Sequence, residues 1–380
     1  MTGFSATAGE RLPAGKHRES LARARGGASG TRGATVARVG ERGGAPRQNR
    51  RILLIADMDG LPDPGGSAAD CAPPGRYIHS CGHHMQMTVL YGAARILAEI
   101  RSPALTDVEF CAVPAEEFID RERRQILVDR GLVRFLSGKQ ELLSRGYFGP
   151  FRYVVATHAA GVPDAATFTS VRAMNGFDRL AVEFTGKASH AGAHPHRGRN
   201  AQNAASLFLQ ACAFLRESFD EEDHVRIHPI LRLLPDQSVN LIPEKAFVET
   251  YVRGVRPGAV KETAEKLSAA AAGCAKALGV EAAVSVTPGY APFHAAPLLH
   301  ELTRTTAEEA GLGFVDEGFS AASSDMGDVS AVVPSVIVGL PGSNGMFHNR
   351  GFSVTDERAA YLLSSRFVAR CLERLAALGD

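Results

Sequence analysis

At 380 residues the chain exceeds what one hydrophobic core usually organises, and 45% apolar with 22% charged residues excludes disordered, fibrous and membrane compositions. Forty-two basic against 41 acidic residues leave a formal net charge of +1, which provides no general attraction to nucleic acid or to an anionic membrane. A small-molecule substrate is the expected partner.

Six cysteines (Cys71, Cys81, Cys111, Cys212, Cys274 and Cys371) are scattered without the close pairing of a disulfide framework. No apolar run approaches the ~20 residues of a membrane span, and the start lacks the roughly 7–15 apolar residues of a secretory signal. A reduced, cytoplasmic protein is expected. Residues 1–50 are rich in Gly, Ala and Arg and hold little that could form a core, so disorder is expected there. An Arg-rich transit peptide shares that composition, but no amphipathic period runs through it.

From Ile52 the texture changes. Ile52 to Ala56 is a short continuous apolar run of the kind buried in a parallel sheet, and it leads into Asp57-Met58-Asp59-Gly60. Val108 to Val113 leads likewise into Pro114-Ala115-Glu116-Glu117, and Tyr153 to Ala156 into Thr157-His158. The spacing predicts a helix over Thr88 to Ile100, giving an alternating strand–helix order whose strand ends carry metal-capable side chains. After Met174 the pattern becomes that of an α+β unit: a strand from Arg179 to Phe184, a helix from Ala201 to Leu215, strands either side of Pro243, a helix from Ala259 to Leu278, and a strand from Val280 to Thr287. Helix, strand (Ser335 to Leu340) and terminal helix (Asp356 to Leu375) then resume the first pattern. The expected division is 1–50, a first catalytic part 51–174, an insertion 175–290, and a second catalytic part 291–380.

The strongest local signal is His79-Ser80-Cys81-Gly82-His83-His84, because a thiolate and an imidazole two residues apart can face one ion across a glycine turn. By itself a Cys-x-His is more often incidental. Adjacent Glu116 and Glu117 at a strand end can divide between binding a metal and addressing a bound water, although an isolated acidic pair is usually a solvated turn. His158 and His348 would each be ordinary if met alone, and gain meaning as members of the set.

In order, Asp57-Met58-Asp59-Gly60-Leu61-Pro62, His79-Ser80-Cys81-Gly82-His83, Pro114-Ala115-Glu116-Glu117, Thr157-His158, Gly186-Lys187-Ala188-Ser189-His190-Ala191-Gly192 and Phe347-His348-Asn349 resemble the M20 peptidase and amidohydrolase family. The likeness is to its aminoacylase-like branch of p-aminobenzoyl-glutamate, hippurate and auxin-conjugate hydrolases, and spans roughly residues 52 to 380. It implies an α/β catalytic domain with a central sheet, interrupted by an inserted ferredoxin-like α+β lid and dimerisation domain, and hence a homodimer. It also implies two divalent metal ions, zinc or manganese, on Cys81, His83, Glu117, His158 and His348, with Glu116 as general base. His190 matches a histidine that reaches a partner subunit's site to steady the oxyanion, while Asn240 and Arg253 match residues that meet substrate. Asp59 is expected either to orient a ligand from behind or simply to cap its turn.

The expected reaction is hydrolysis of an N-acyl or N-aroyl amino acid by an activated water; a dipeptidase of the same fold and a catalytically idle metal-binding homologue are the alternatives. Two departures stand out. The branch has Cys-Gly-His-Asp and then His two places on, where this chain has His84-Met85-Gln86; His84 is open between added ligand, substrate contact and packed side chain. The residues before Arg51 do not resemble the helical opening of the family. Ser323-Ser324-Asp325-Met326-Gly327-Asp328 reads equally as a substrate-side motif or as a helix cap.

Overall fold

The computed structural model describes residues 35–37, 51–62, 77–117, 121–161, 164, 166–234, 237–349 and 351–378. Cys71 and most of the first 50 residues lie outside these, but Thr35–Ala37 forms a strand on the edge of the main sheet, antiparallel to Val108–Val113.

The main sheet has eight strands. Its centre is parallel: Val108–Val113, Ile52–Asp57, Tyr153–Ala159 and Ser335–Leu340 lie side by side. Thr167–Met174 continues it antiparallel to Ser335–Leu340, and itself pairs with Phe293–His294 and, in parallel, with Gly313–Ser320. Every residue of the Ile52–Asp57, Val108–Val113 and Ser335–Leu340 strands is buried. That follows from helices on both faces: Leu54 and Phe110 pack with the helices His83–Glu99 and Ser364–Ala377, whereas Leu53, Ile55 and Val113 pack with Leu142 and Val329 on the other side. A strand covered twice has no polar alternation to show, which is why these segments read as continuous apolar runs.

Residues 176–288 build a second, antiparallel sheet in which Lys245–Gly254 and Glu281–Pro288 flank Gly176–Thr185, and Arg226–Ile227 and Ile230–Leu233 add to the far side of Lys245–Gly254. The helices Ala201–Leu215 and Pro257–Ala277 supply a core of its own, around Phe184, Phe208 and Leu267. Along Lys245–Gly254 burial alternates strictly, so Ala246, Val248 and Val252 face the helices while Glu249, Tyr251 and Arg253 face outward.

The chain enters and leaves this second sheet at one place. Met174 lies opposite Phe293 in the main sheet. Just beyond, a side chain on Gly176 would sit 2.5 Å from the Tyr290 carbonyl, and one on Gly289 would sit 2.4 Å from that of Phe177. The two connections pass so closely that only glycine fits either.

Several expectations change in detail. The first helix starts at His83 rather than Thr88. His158 sits inside its strand, which runs to Ala159. The last helix opens with a π-helical turn, Arg358–Leu363. The strands Thr167–Met174 and Gly313–Ser320 were not anticipated; the second is largely exposed and carries Asp316 and Glu317, which hides its period.

Candidate metal centre

The site lies at the carboxyl ends of the three central strands, where an open α/β sheet leaves a crevice. Gly82, at φ 79°, closes a left-handed turn that sets Cys81 just before the first helix and His83 on its first residue. A β-carbon there would meet that of Ala159 at 2.6 Å, so the turn admits no larger residue. After Val113 the backbone reverses at Ala115, φ 69°, a conformation an alanine rarely adopts, and this swings both Glu116 and Glu117 into the crevice. His348, also at positive φ, is tied by its amide to the Ser80 carbonyl at 3.0 Å.

Donor atoms from Cys81, His83 and His158 lie within 4.8 Å of one another, as do those of Cys81, Glu117 and His348, and those of His83, Glu116 and Glu117. The tautomers follow from their partners. His83 Nδ1 is 2.9 Å from the Asp59 carbonyl and His158 Nδ1 is 2.9 Å from the Ala159 carbonyl, so each ring donates there and keeps the lone pair on Nε2. His158 Nε2 faces Cys81 Sγ at 3.4 Å, and buried His83 Nε2 has no hydrogen-bond partner among the described residues. His348 Nε2 is 3.2 Å from Glu117 Oε1. A buried imidazole nitrogen left orphaned beside a thiol and two carboxylates is costly unless something positive completes it. The chemistry of this donor set, one sulfur with nitrogens and carboxylate oxygens, fits divalent ions of the zinc or manganese kind.

Asp59 stands behind the donors: its Oδ2 accepts from the Glu117 amide at 2.9 Å, and its Oδ1 lies 3.3 Å from His83 Nδ1. Burial works against a charged His83, but Asp59 and the Asp57 and Glu116 carboxylates outweigh it and raise its pKa to about 9. Burial and the nearby Glu117 and Glu116 push the Cys81 thiol far up, which a cation in their midst reverses. Glu116 is raised well above the ordinary range by burial and by Asp325 and Asp57, with Lys139 opposing. Tyr290 donates its hydroxyl hydrogen to the Glu116 carbonyl and holds that turn.

A cavity of about 470 Å³ opens from the donors. Arg253 also lines it, donating to Ser323 Oγ at 2.7 Å and lying over the rings of Phe177 and Tyr251. Burial lowers its pKa, and it has no carboxylate partner among the described residues. His190 is on a two-stranded ladder, Ser189–His190 with Leu241–Ile242, and Asn240 is in the turn just before it; both are exposed and neither lines the cavity. His84 packs by the rings of His79 and Tyr361 and belongs to none of the donor groups. Ser323 and Ser324 line the cavity, whereas Asp325 caps nothing with its side chain.

The sequence reading missed what Asp325 does instead. Lys139, wholly buried on the short helix Gly138–Ser144, donates to both Asp57 and Asp325, at 2.6 Å in the latter case, and Ser137 donates to the other Asp325 oxygen. Gln86, standing where the branch has histidine, accepts from the Asp57 amide at 2.9 Å. Nothing in the local pattern around Lys139 distinguishes it from a surface lysine.

Metal donors gathered at the strand ends of an α/β sheet, with a buried carboxylate beside them, define a metal-dependent hydrolase. Residues 53–374 match the model of peptidase family M20/M25/M40. The chain is 28% identical over 306 residues to N-acetyldiaminopimelate deacetylase of Streptococcus uberis, covering 79% of this chain and 76% of that protein. It is 26% identical over 304 residues to Xaa-Arg dipeptidase of Mus musculus, covering 75% and 60%. Its fold is shared with the YXEP protein of Bacillus subtilis, a dinuclear metal-binding peptidase of the M20 family, at a TM-score of 0.66 and 19% identity over 87% of this chain and 83% of that one. The chain belongs to peptidase family M20/M25/M40 and is a metal-dependent amidohydrolase or peptidase.

Proposed function

We propose that the protein hydrolyses the amide bond of an N-acyl or N-aroyl amino acid. The observation that carries this reading is one cavity lined both by Cys81, Glu116, Glu117, His158 and His348 and by Arg253, a cation without a carboxylate partner among the described residues. Arg253, aimed by Ser323 and flanked by two aromatic faces, suits a substrate carboxylate. Ions held by Cys81, His83, Glu117, His158 and His348, zinc or manganese, would supply Lewis acidity that activates a water and polarises the scissile carbonyl. Glu116, 4.0 Å from His83 Nε2, takes the proton of that water and returns it to the departing amine. Asp59 keeps His83 and Glu117 in register for the whole cycle. The unit 175–290 acts as lid and dimerisation domain of ferredoxin-like type, and His190 and Asn240 complete the site of the partner subunit, which accounts for their exposure in the single chain.

The test is amine release from a panel of acyl amino acids with Zn²⁺ or Mn²⁺ supplied, comparing wild type with Glu116→Gln alongside metal content. Release by the wild type, lost by about 10²-fold or more in a variant with undiminished metal, is the expected result. Bound metal with no release in either protein would instead favour an idle homologue.

A further inference from the structure

Glu317, an exposed residue, lines the same cavity. It lies on the Gly313–Ser320 strand, whose parallel pairing with Thr167–Met174 slips at this residue: Asp316 is opposite Ser170 and Gly318 is opposite Val171, leaving Glu317 as the extra residue. Gly318 takes φ 63° to permit the bulge. A bulge re-aims the side chain it carries, and here Glu317 lines the cavity. Asp316, the neighbouring acid, is spent on the protein itself, bonded to Arg172 at 2.6 Å and lying 3.3 Å from His300 Nε2. Glu317 makes no hydrogen bond or ion pair with any described residue.

The surroundings sharpen the point. Besides the donors and Asp57, the cavity is lined by small and apolar residues such as Ala160, Val171, Met174 and Ile337, by threonine and serine residues, and by the charged residues Arg253 and Glu317. Both line the same cavity, Arg253 bonded to Ser323 and Glu317 three residues before the lining stretch Ser320 to Ser324. An anion receptor and an unspent carboxylate in one cavity suit a ligand bearing both charges. We infer that Glu317 forms a cation subsite, and that the substrates of this protein carry an ammonium or guanidinium group besides the carboxylate that meets Arg253. This rests on the functional reading above. The positive group belongs either to the side chain of the released amino acid or to the free α-amine of a dipeptide.

The experiment compares two matched pairs on full-length protein with Zn²⁺ supplied. Nα-acetyl-arginine against Nα-acetyl-citrulline tests a side-chain cation, and alanyl-norleucine against propionyl-norleucine tests a free amine. Both kcat/KM and calorimetric Kd are read, for wild type, Glu317→Gln, and Glu262→Gln as the same charge change on an outer helix. The expected result is a roughly tenfold preference for the cationic member of one pair, retained in Glu262→Gln and falling close to parity in Glu317→Gln. Such a preference in Kd without turnover would keep the subsite while refuting the hydrolase reading. Equal treatment of both pairs by the wild type, or a preference that survives in Glu317→Gln, overturns the inference.

Discussion

A histidine becomes a ligand only when one nitrogen is committed elsewhere, and in His83 and His158 a backbone carbonyl makes that commitment. Cys81, His83, Glu117, His158 and His348 stand out in the sequence because each sits in a short motif whose neighbours also carry chemistry, and the fold brings their donor atoms close to one another. The charges behind them were not visible, because burial of Lys139 against Asp57 and Asp325 is decided by packing between segments more than 80 residues apart. Asp328 is another such case. Burial, aided by the Asp325 charge, raises its pKa to about 6, with Gln140 offsetting part of this. Between the ordinary value of 3.8 and about 6 the folded state therefore holds the proton more tightly than the unfolded chain. The stabilising contribution is full below that lower value and is lost as pH rises through the upper one. Asp328→Asn should raise the thermal midpoint by roughly 2–4 °C at about pH 7.5, with the gain vanishing near pH 4; a gain independent of pH would refute this account.

Elements buried on both faces were read almost residue for residue, since Val108–Val113 and Ser335–Leu340 coincide with their apolar runs. Strands paired at the sheet's margin, such as Gly313–Ser320, were not read, because one exposed side and a bulge destroy the period. The short helix Gly138–Ser144 shows how much a minor element can carry. Through Lys139 it joins the end of the Ile52–Asp57 strand to Asp325, two residues from the Ser323 that holds Arg253. Lys139→Met leaves two buried carboxylates facing each other, and a loss of about 3–5 kcal/mol in urea unfolding is expected. Combining it with Asp57→Asn and Asp325→Asn should restore much of that loss; a triple variant no more stable than the single one would show that packing of the lysine stem matters more than its charge.

For the whole molecule, the change of pattern after Met174 coincides with the start of the second sheet at Gly176, whereas the assembly is a property of surfaces that no local pattern encodes. The second unit presents Glu281–Pro288 as an outer strand with Val284 and Val286 exposed, a free edge of the sort that recruits a second copy. A homodimer through this unit is the expected state, to be read as twice the chain mass by light scattering. A monomer at micromolar concentration would leave His190 and Asn240 without a partner's site to complete.

The glycine crossing at Gly176 and Gly289 bears on how such a chain can be edited. Since Met174 and Phe293 already lie opposite one another in the main sheet, the entire intervening segment is, in topological terms, an elaborated hairpin loop. Its deletion requires only a tight turn, and the strand leading into Glu117 and the strand bearing His158 would keep their order and connectivity. Recombination can thus exchange that whole segment as one piece without rewriting the order of the main sheet.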